Sequence, residues 1–353
     1  MARIVIADKT NEYDGRSMAL QPLGGTESSV IRLAEALARR GHDVTCLTNC
    51  PARVEHQGVN WQPLVNGRGP DSDLFLAVQH PDLFRLARRP RRRALWVVWP
   101  PHNLQRRMHA LRMWLLRPLP VFVSYYQTSI YWRRLPDPRP LVILPFGLPD
   151  AVRGRPARSA APSPHAVFAS NPMRNLTWLL DLWACRILPR VPNAELHIHG
   201  IRDYAHRYGV PWEETTKRLE QFIPPGYPEH ARRSLHPHAP ARPEELWDAM
   251  HAARVMLYGG HRVEAFCLSV AEAQALGLPA VVRPIAVLSE RVRDGETGFI
   301  AGDDETFSVR AVDLLIDDAL WRRQHEAALR LQQGWDWDEM AAAFEARVIP
   351  PVK

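Results

Sequence analysis

Two spacings of apolar residues run along this chain. Short runs rich in β-branched side chains, RIVIAD (3–8), DVTCLT (43–48), LFLAV (74–78), ALWVVW (94–99), VFVSYY (121–126) and LVILPF (141–146), predict strands covered on both faces. Between the first two, Val30, Leu33, Ala34 and Leu37 mark one face of a helix that Gly24 and Gly25 precede and Gly41 ends. Strand, glycine-rich loop, helix, strand is one turn of a parallel α/β sheet. A second series begins at AVFAS (166–170). It continues through a helix at 175–188, a strand AELHIHG, a helix at 242–253, a strand RVMLYGG, a helix near 269–276 and the strands PAVVR and FIAG. Two helical segments, 305–333 and 337–348, close the chain.

At 353 residues the chain exceeds one ordinary core and suits two domains. The stretch PDAVRGRPARSAAPSPH is rich in Pro, Ala and small polar residues, as an exposed connection is. The expected organisation is a Rossmann-like domain over 1–150, a linker over 151–164, a second Rossmann-like domain over 165–334 and a terminal helix within 335–353. Such a pair places a cleft between the carboxyl ends of two sheets, where ligands bind.

Composition narrows the classes. A hydrophobic share of 46% and a charged share of 24% fit a soluble globular protein rather than a disordered or fibrous one. No apolar run reaches the roughly 18 residues of a membrane span, and MARIVIAD is too short and too soon acidic for a signal peptide. A cytoplasmic location is expected. Cys46, Cys50, Cys185 and Cys267 have neither zinc-cluster spacing nor a disulfide framework, so reduced, buried thiols are expected.

Charge is unevenly placed. The net charge is +7, yet residues 81–140 alone hold thirteen arginines against two acids, Asp82 and Asp137. Within the arginine-rich region 85–117, Leu104, Met108, Leu111 and Leu115 recur at helical spacing among Arg106, Arg107 and Arg112. A basic amphipathic helix reads either as a surface for anionic lipid headgroups, on the inner face of a membrane, or as a solvated face whose apolar stripe packs on its own domain. No recognised nucleic-acid motif accompanies it, so nucleic acid is not an expected partner.

The densest chemistry lies in VEAFCLSVAEAQALGLPAVV (263–282). Glu264 and Glu272 would stand about 80° apart on an unbroken helix, an awkward arrangement for one ligand. The helix therefore starts between them, with Ser269 as its expected cap and Gly277 and Pro279 as its stop. Glu264 then lies in the preceding loop and Glu272 on the first turn. The amides of Phe266, Cys267 and Leu268 suit an anion, and two flanking carboxylates suit neutral hydroxyls of the same guest. A sugar diphosphate meets both demands. The plain alternative makes Glu264 a surface residue and Glu272 a partner of the helix dipole. Gly24 and Gly25 likewise form either an anion site or a tight turn.

The order GGTE at the first helix, HN after ALWVVWPP, LPFG before the linker, EELWDAMHAARVMLYGG, EAFCLSVAEAQALGLPAVV and RDGETGFI resembles glycosyltransferase family 4 over nearly the whole chain. That family comprises retaining enzymes of the α/β GT-B fold, two Rossmann-like domains facing each other across a cleft, with a terminal helix that returns to the first domain. The resemblance implies that Glu264 contacts the transferred sugar, Glu272 the ribose, and Ala265, Phe266, Cys267 and Leu268 the sugar and phosphate. It places Gly24 and Gly25 near the donor diphosphate and His102 beside the sugar. Arg174 falls where the family has a lysine. Its usual arginine is replaced by Ser170 or Asn171, so Asn171 joins the donor contacts and one cation is lacking, for which His261 or Arg262 would compensate. The loop SLHPHAP falls where relatives contact the base.

The activity implied is transfer of a sugar, with retention, from a UDP- or GDP-sugar to a hydroxyl of a glycan, glycolipid or other acceptor in polysaccharide or glycolipid biosynthesis. Cofactor and metal are not expected, because amides and arginines neutralise the phosphates. The triplet Asp71–Asp73 precedes a strand and reads as a turn. The alternatives are a sugar-nucleotide epimerase or hydrolase on the same fold, and a degenerate nucleotide-sugar or glycan-binding protein that supports a partner enzyme.

Overall fold

The computed structural model describes residues 1–21, 23–64, 69–200, 220–238 and 242–351. The chain divides into two compact units, one of Met1–Gly147 with Trp335–Lys353 and the other of Leu148–Gly334. No described helix is long and apolar enough to cross a membrane.

The first unit is built on eight strands: β1 (Arg3–Ala7), β2 (Asp43–Thr48), β3 (Val54–His56), β4 (Val59–Pro63), β5 (Leu74–Val78), β6 (Arg92–Val97), β7 (Leu119–Phe122) and β8 (Val142–Ile143). Their order is β3-β4-β2-β1-β5-β6-β7-β8, and only the β3–β4 pair is antiparallel. Helix α1 (Gly25–Arg39) crosses from β1 to β2 and buries Val30, Ile31, Leu33, Ala34 and Leu37, the face that the apolar spacing marks.

The second unit carries a wholly parallel sheet of β9 (His165–Ala169), β10 (Glu195–His199), β11 (Leu235–Pro237), β12 (Val255–Tyr258), β13 (Ala280–Val282) and β14 (Gly298–Ile300). Its order β11-β10-β9-β12-β13-β14 reverses direction between β9 and β12. That reversal is the doubly wound pattern, in which ligands bind outside the carboxyl ends of the strands at the switch point.

The expected linker is part of this second unit. The Arg158 amide donates to His325 Nε2 at 2.9 Å, its guanidinium to the His251 carbonyl at 2.8 Å, and the Gly154 amide to Gln333 Oε1 at 2.6 Å. Polar groups far away in sequence hold the stretch, which its composition alone does not reveal.

Along the chain α1 is followed by α2 (Arg107–Leu116), α3 (Leu176–Leu182), α4 (Pro243–Ala252), α5 (Leu268–Ala275), α6 (Asp304–Ile316), α7 (Asp318–Leu331) and the terminal helix α8 (Trp337–Val348). Helix α8 packs on the first unit. Asp336 caps it by accepting from the Glu339 amide at 2.6 Å, and Glu339 answers with a bond from the Asp336 amide at 2.8 Å. Arg39 and Arg40 of α1's end reach Asp338 and Glu345 at 2.7 and 2.6 Å. Gly147, the last residue of LPFG, sits where a Cβ would stand 2.8 Å from the Trp337 backbone, so only glycine admits this return.

Helix α2 corrects one reading. Met113 is buried and Leu104 lies buried in the turn before the helix, but Met108, Leu111, Trp114 and Leu115 are exposed, Leu115 at 72%. The helix is anchored by Met113 with Ala110 and Leu116, and of the expected stripe only Leu104 packs on its own domain. Cys185 is likewise exposed, while Cys46, Cys50 and Cys267 are buried, all four as free thiols.

Candidate functional site

In the second unit the segments leaving β9 and β12 meet at the switch point. From β9 the chain runs through Ser170 and Asn171 into a turn, in which the Arg174 amide donates to the Asn171 carbonyl at 2.8 Å and Asn171 Oδ1 accepts from the Met173 amide at 2.9 Å. Asn175 takes a left-handed conformation (φ 65°) and donates to the Gly260 carbonyl at 2.5 Å. Gly260 is itself left-handed at φ 75°. The two strand-end loops are thus hydrogen-bonded together, and their side chains converge.

Glu264 is the point of convergence. Its carboxylate is 4% exposed, and Oε1 accepts from Arg174 Nη1 at 2.7 Å and from the Tyr258 hydroxyl. Ser170 Oγ lies 3.3 Å from that hydroxyl. The plain reading of Glu264 as a surface residue is therefore wrong. A buried carboxylate needs such partners, since an unpaired charge in the interior is costly. Burial and the facing carboxylate push the Tyr258 hydroxyl well above its ordinary range, so it stays a donor. Burial opposes the charge on Arg174, but Glu264, Tyr258 and Cys267 together outweigh it and its pKa is raised.

Helix α5 starts one turn beyond Glu264. Its cap is Cys267, in a left-handed conformation at φ 62°, not Ser269. Ser269 instead lies on the first turn with its hydroxyl 3.9 Å from the Cys267 thiol. Glu272 is consequently the fifth helical residue, half-buried on the second turn. A non-glycine residue at positive φ is strained, which the sequence does not announce. The first amides of α5 lack an intrahelical carbonyl by construction, so an anion-binding end faces the loop of Ala265, Phe266 and Cys267, all buried. Burial and the neighbouring Glu264 raise the Cys267 thiol's pKa, which keeps it protonated.

Two groups here, Tyr258 and Arg291, are not among the residues expected from the sequence. Tyr258 ends a strand next to the switch point, which was the available signal. The Arg291 guanidinium lies 4.3 Å from the centre of the Phe266 ring, with Glu290 at 3.5 Å, and supports that loop by a cation–π contact. His199, at the carboxyl end of β10, is 5% exposed and neither ring nitrogen has a hydrogen-bond partner among the described residues; burial and two neighbouring histidines push it down to about 3. It is neutral near pH 7 and offers one donor and one acceptor. His261 is half-buried, accepting from the Val263 amide at 3.3 Å, and Arg262 is exposed. Ala239 and Pro240 of SLHPHAP lie outside the described residues.

In the first unit Gly24 caps α1 with extended backbone and Gly25 opens the helix. A Cβ on Gly24 would stand 2.5 Å from Glu27 Oε2, so the buried Glu27 side chain turns back over the helix start. Burial and nearby Asp8 raise its pKa. Thr26 Oγ1 accepts from Trp99 Nε1 at 3.1 Å, and the Trp99 amide donates to Gln79 Oε1 at 2.8 Å. Gln79 in turn donates to Asn103 at 2.8 Å, beside the exposed His102. The glycine loop and the HN turn are thus linked within this unit. Nearby, Lys9 pairs with Asp82 at 2.7 Å, and partial burial pushes the half-buried His80 down to about 4. Asp71 and Asp73 hold no shared centre: Asp71 pairs with Arg88 at 3.3 Å, and Asp73 accepts from the Arg3 amide at 2.8 Å.

Residues 182–331 match the family model of glycosyl transferases group 1. Curated D-inositol 3-phosphate glycosyltransferases are similar over part of the chain. That of Streptomyces avermitilis is 36% identical over 106 residues, covering 30% of this chain and 23% of the relative. That of Corynebacterium diphtheriae is 35% identical over 109 residues, covering 30% and 25%. The alignments span about a quarter of these relatives' length. Among solved structures, sucrose-phosphate synthase from Thermosynechococcus elongatus superposes with a TM-score of 0.71 at 16% identity, covering 98% of each chain. WaaG, a glycosyltransferase involved in lipopolysaccharide biosynthesis, gives 0.68 at 13%, covering 98% of this chain and 100% of that one. Anabaena HepE in complex with UDP-glucose gives 0.71 at 14%, covering 99% and 100%. The chain has the GT-B fold, with two Rossmann-like α/β domains.

Proposed function

We propose that the protein is a retaining glycosyltransferase whose second unit holds a nucleotide-sugar donor, UDP- or GDP-linked, through the Glu264 and Arg174 constellation. The carrying observation is the buried Glu264 carboxylate, which shares one oxygen between Arg174 and Tyr258 one turn before the start of α5. The site combines a cation, backbone donors and a carboxylate acceptor at a switch point, which are the partners of a diphosphate and of sugar hydroxyls. Glu264 orients the transferred sugar and Glu272 the ribose. Arg174, Asn171 and the loop from Ala265 to Leu268 hold the diphosphate. Gly24, Gly25 and His102 of the first unit keep the donor-binding and sugar-positioning roles that the resemblance gives them.

The chemistry follows from charge. As the anomeric carbon–oxygen bond to the diphosphate breaks, negative charge gathers on the leaving phosphate, where a preorganised guanidinium and amides stabilise it most. The acceptor hydroxyl forms the new bond on the face the phosphate leaves, and its proton passes to the departing phosphate oxygen. The anomeric configuration is kept. Amides and arginines do the neutralising here, so the reaction is proposed to need no metal and no cofactor.

The acceptor is proposed to be membrane-borne or anionic, with the protein cytoplasmic and peripheral on the membrane. Helix α2 exposes Met108, Leu111, Trp114 and Leu115 beside Arg106, Arg107, Arg112 and Arg117, none of which pairs with a carboxylate among the described residues. Apolar insertion and headgroup attraction act together on such a face. Replacing Arg106, Arg107 and Arg112 by Ser is expected to abolish salt-sensitive sedimentation with phosphatidylglycerol vesicles. Equal sedimentation of this variant and the parent would contradict the membrane reading.

The transfer itself is tested by nucleoside diphosphate release from a panel of UDP- and GDP-sugars, with and without glycolipid extract. Acceptor-dependent release and a product of unchanged anomeric configuration by NMR support the proposal. Release equally fast without acceptor indicates a hydrolase. Nucleotide binding with no turnover of any donor indicates a binding protein.

A further inference from the structure

A second cluster of chemistry lies in the second unit, at the other end of its sheet. His165 and Glu195 are the first residues of β9 and β10 and stand in register, as do His197 of β10 and His236 of β11. Alternation along β10 puts Glu195 and His197 on the same face, so all four side chains share it. Three imidazoles approach one carboxylate oxygen. Glu195 Oε2 lies 3.2 Å from His165 Nε2, 3.2 Å from His197 Nε2 and 3.7 Å from His236 Nε2. The donor atoms of His165, Glu195 and His197 all fall within 4.8 Å of one another. Behind them, His197 Nδ1 is 2.9 Å from His238 Nε2, and the two rings stack 5.1 Å apart.

We propose that His165, Glu195 and His197 bind a divalent transition-metal ion of borderline softness, zinc above all, with His236 poised as a fourth ligand. Zinc bonds of about 2.0–2.2 Å to nitrogen and oxygen set neighbouring donors of a tetrahedron about 3.3–3.6 Å apart, and Glu195 Oε2 already stands 3.2 Å from both His165 Nε2 and His197 Nε2. Imidazole with carboxylate is a donor set for zinc rather than for calcium or magnesium, which take oxygen ligands. His238 supplies what ligating histidines need. With the metal on His197 Nε2, the ring keeps its proton on Nδ1 and donates it to His238 Nε2, fixing tautomer and orientation. The side chains are between 26% and 40% exposed, so an ion can enter.

The ligands come from three neighbouring strands, so their spacing is set by the sheet rather than by loops. One strand is β11, only three residues long and at the edge of the sheet, where a metal would pin it to β10. The site is separate from the Glu264 constellation. Arg174 and Ser170 follow the carboxyl end of β9, whereas His165 opens it, about 16 Å of strand away. The metal would therefore be structural and compatible with a transfer reaction that uses none.

The test uses the full chain without a polyhistidine tag, stripped with chelator and titrated with zinc chloride against a chromophoric competitor. One equivalent is expected with a dissociation constant in the micromolar range or below, together with a rise in melting temperature by mass action. Glu195→Gln and His165→Ala should each weaken binding at least tenfold, and His236→Ala less. His102→Ala should leave it unchanged. Cobalt in place of zinc should give a visible ligand-field band that Glu195→Gln alters while the far-ultraviolet spectrum stays native. Failure of the parent chain to hold an equivalent, or equal affinity in a folded His165→Ala, Glu195→Gln double variant, would overturn the assignment.

Discussion

Glu264 Oε1 accepts two hydrogen bonds, and its two donors differ in what they would do for a bound donor sugar. Tyr258 orients the carboxylate, whereas Arg174 also carries charge. Arg174→Ala is expected to cut turnover about a hundredfold or more, the scale of losing a preorganised electrostatic partner. Tyr258→Phe should cost about tenfold, and steady-state nucleotide release distinguishes the two. The motif's two acids are legible from spacing, and so is their division between loop and helix. Tyr258 and Arg291 carry no such mark: Tyr258 ends β12 and Arg291 follows the short helix Ala286–Glu290, and only folding brings them to Glu264 and Phe266. Two desolvated histidines add a pH signature. His80 and His199 are pushed down to about 4 and about 3, so both stay neutral in the folded chain while the unfolded chain protonates them below about pH 6.5. Their contribution to stability is complete above that pH and is lost as the pH falls towards their folded values. Melting temperature should decline from pH 7 to pH 4 in the parent chain, and less steeply in His80→Gln.

At the scale of elements, apolar periodicity located the strands and long helices, because burial on a sheet imposes it. Ends were less legible. The start of α5 depends on Cys267 taking a left-handed backbone that its side chain does not favour, so the expected Ser269 cap lies two residues too late. The 175–188 helix begins at Leu176 and continues through a π-helical turn, Trp183–Ile187, which local propensity does not encode. Helix α2 shows a different limit: its amphipathic spacing was readable, but only the packing of Met113 tells which side is anchored. The terminal helix α8 depends on apolar anchors as well as its cap. Trp337 stacks on Phe146 at 6.3 Å, and Met340 and Phe344 are wholly buried. Phe344→Ala should cost about 3–5 kcal/mol, and Asp336→Ala about 1 kcal/mol through the lost cap, both measured by urea unfolding.

Across the molecule, two parallel sheets were foreseeable from two series of alternating strands and helices. Assignment of 148–164 to the second unit was not, because it rests on polar ties from Arg158, His325 and Gln333 that lie far apart in sequence. The account's central claim is that the second unit's switch point is a nucleotide-sugar site. Titration calorimetry of the full chain with UDP, GDP and their sugars measures this most directly. One equivalent of one nucleotide series should bind the parent chain, with affinity at least tenfold weaker in Arg174→Ala and in Glu272→Ala. Absence of binding by every nucleotide and nucleotide sugar, or binding that neither substitution changes, would contradict it.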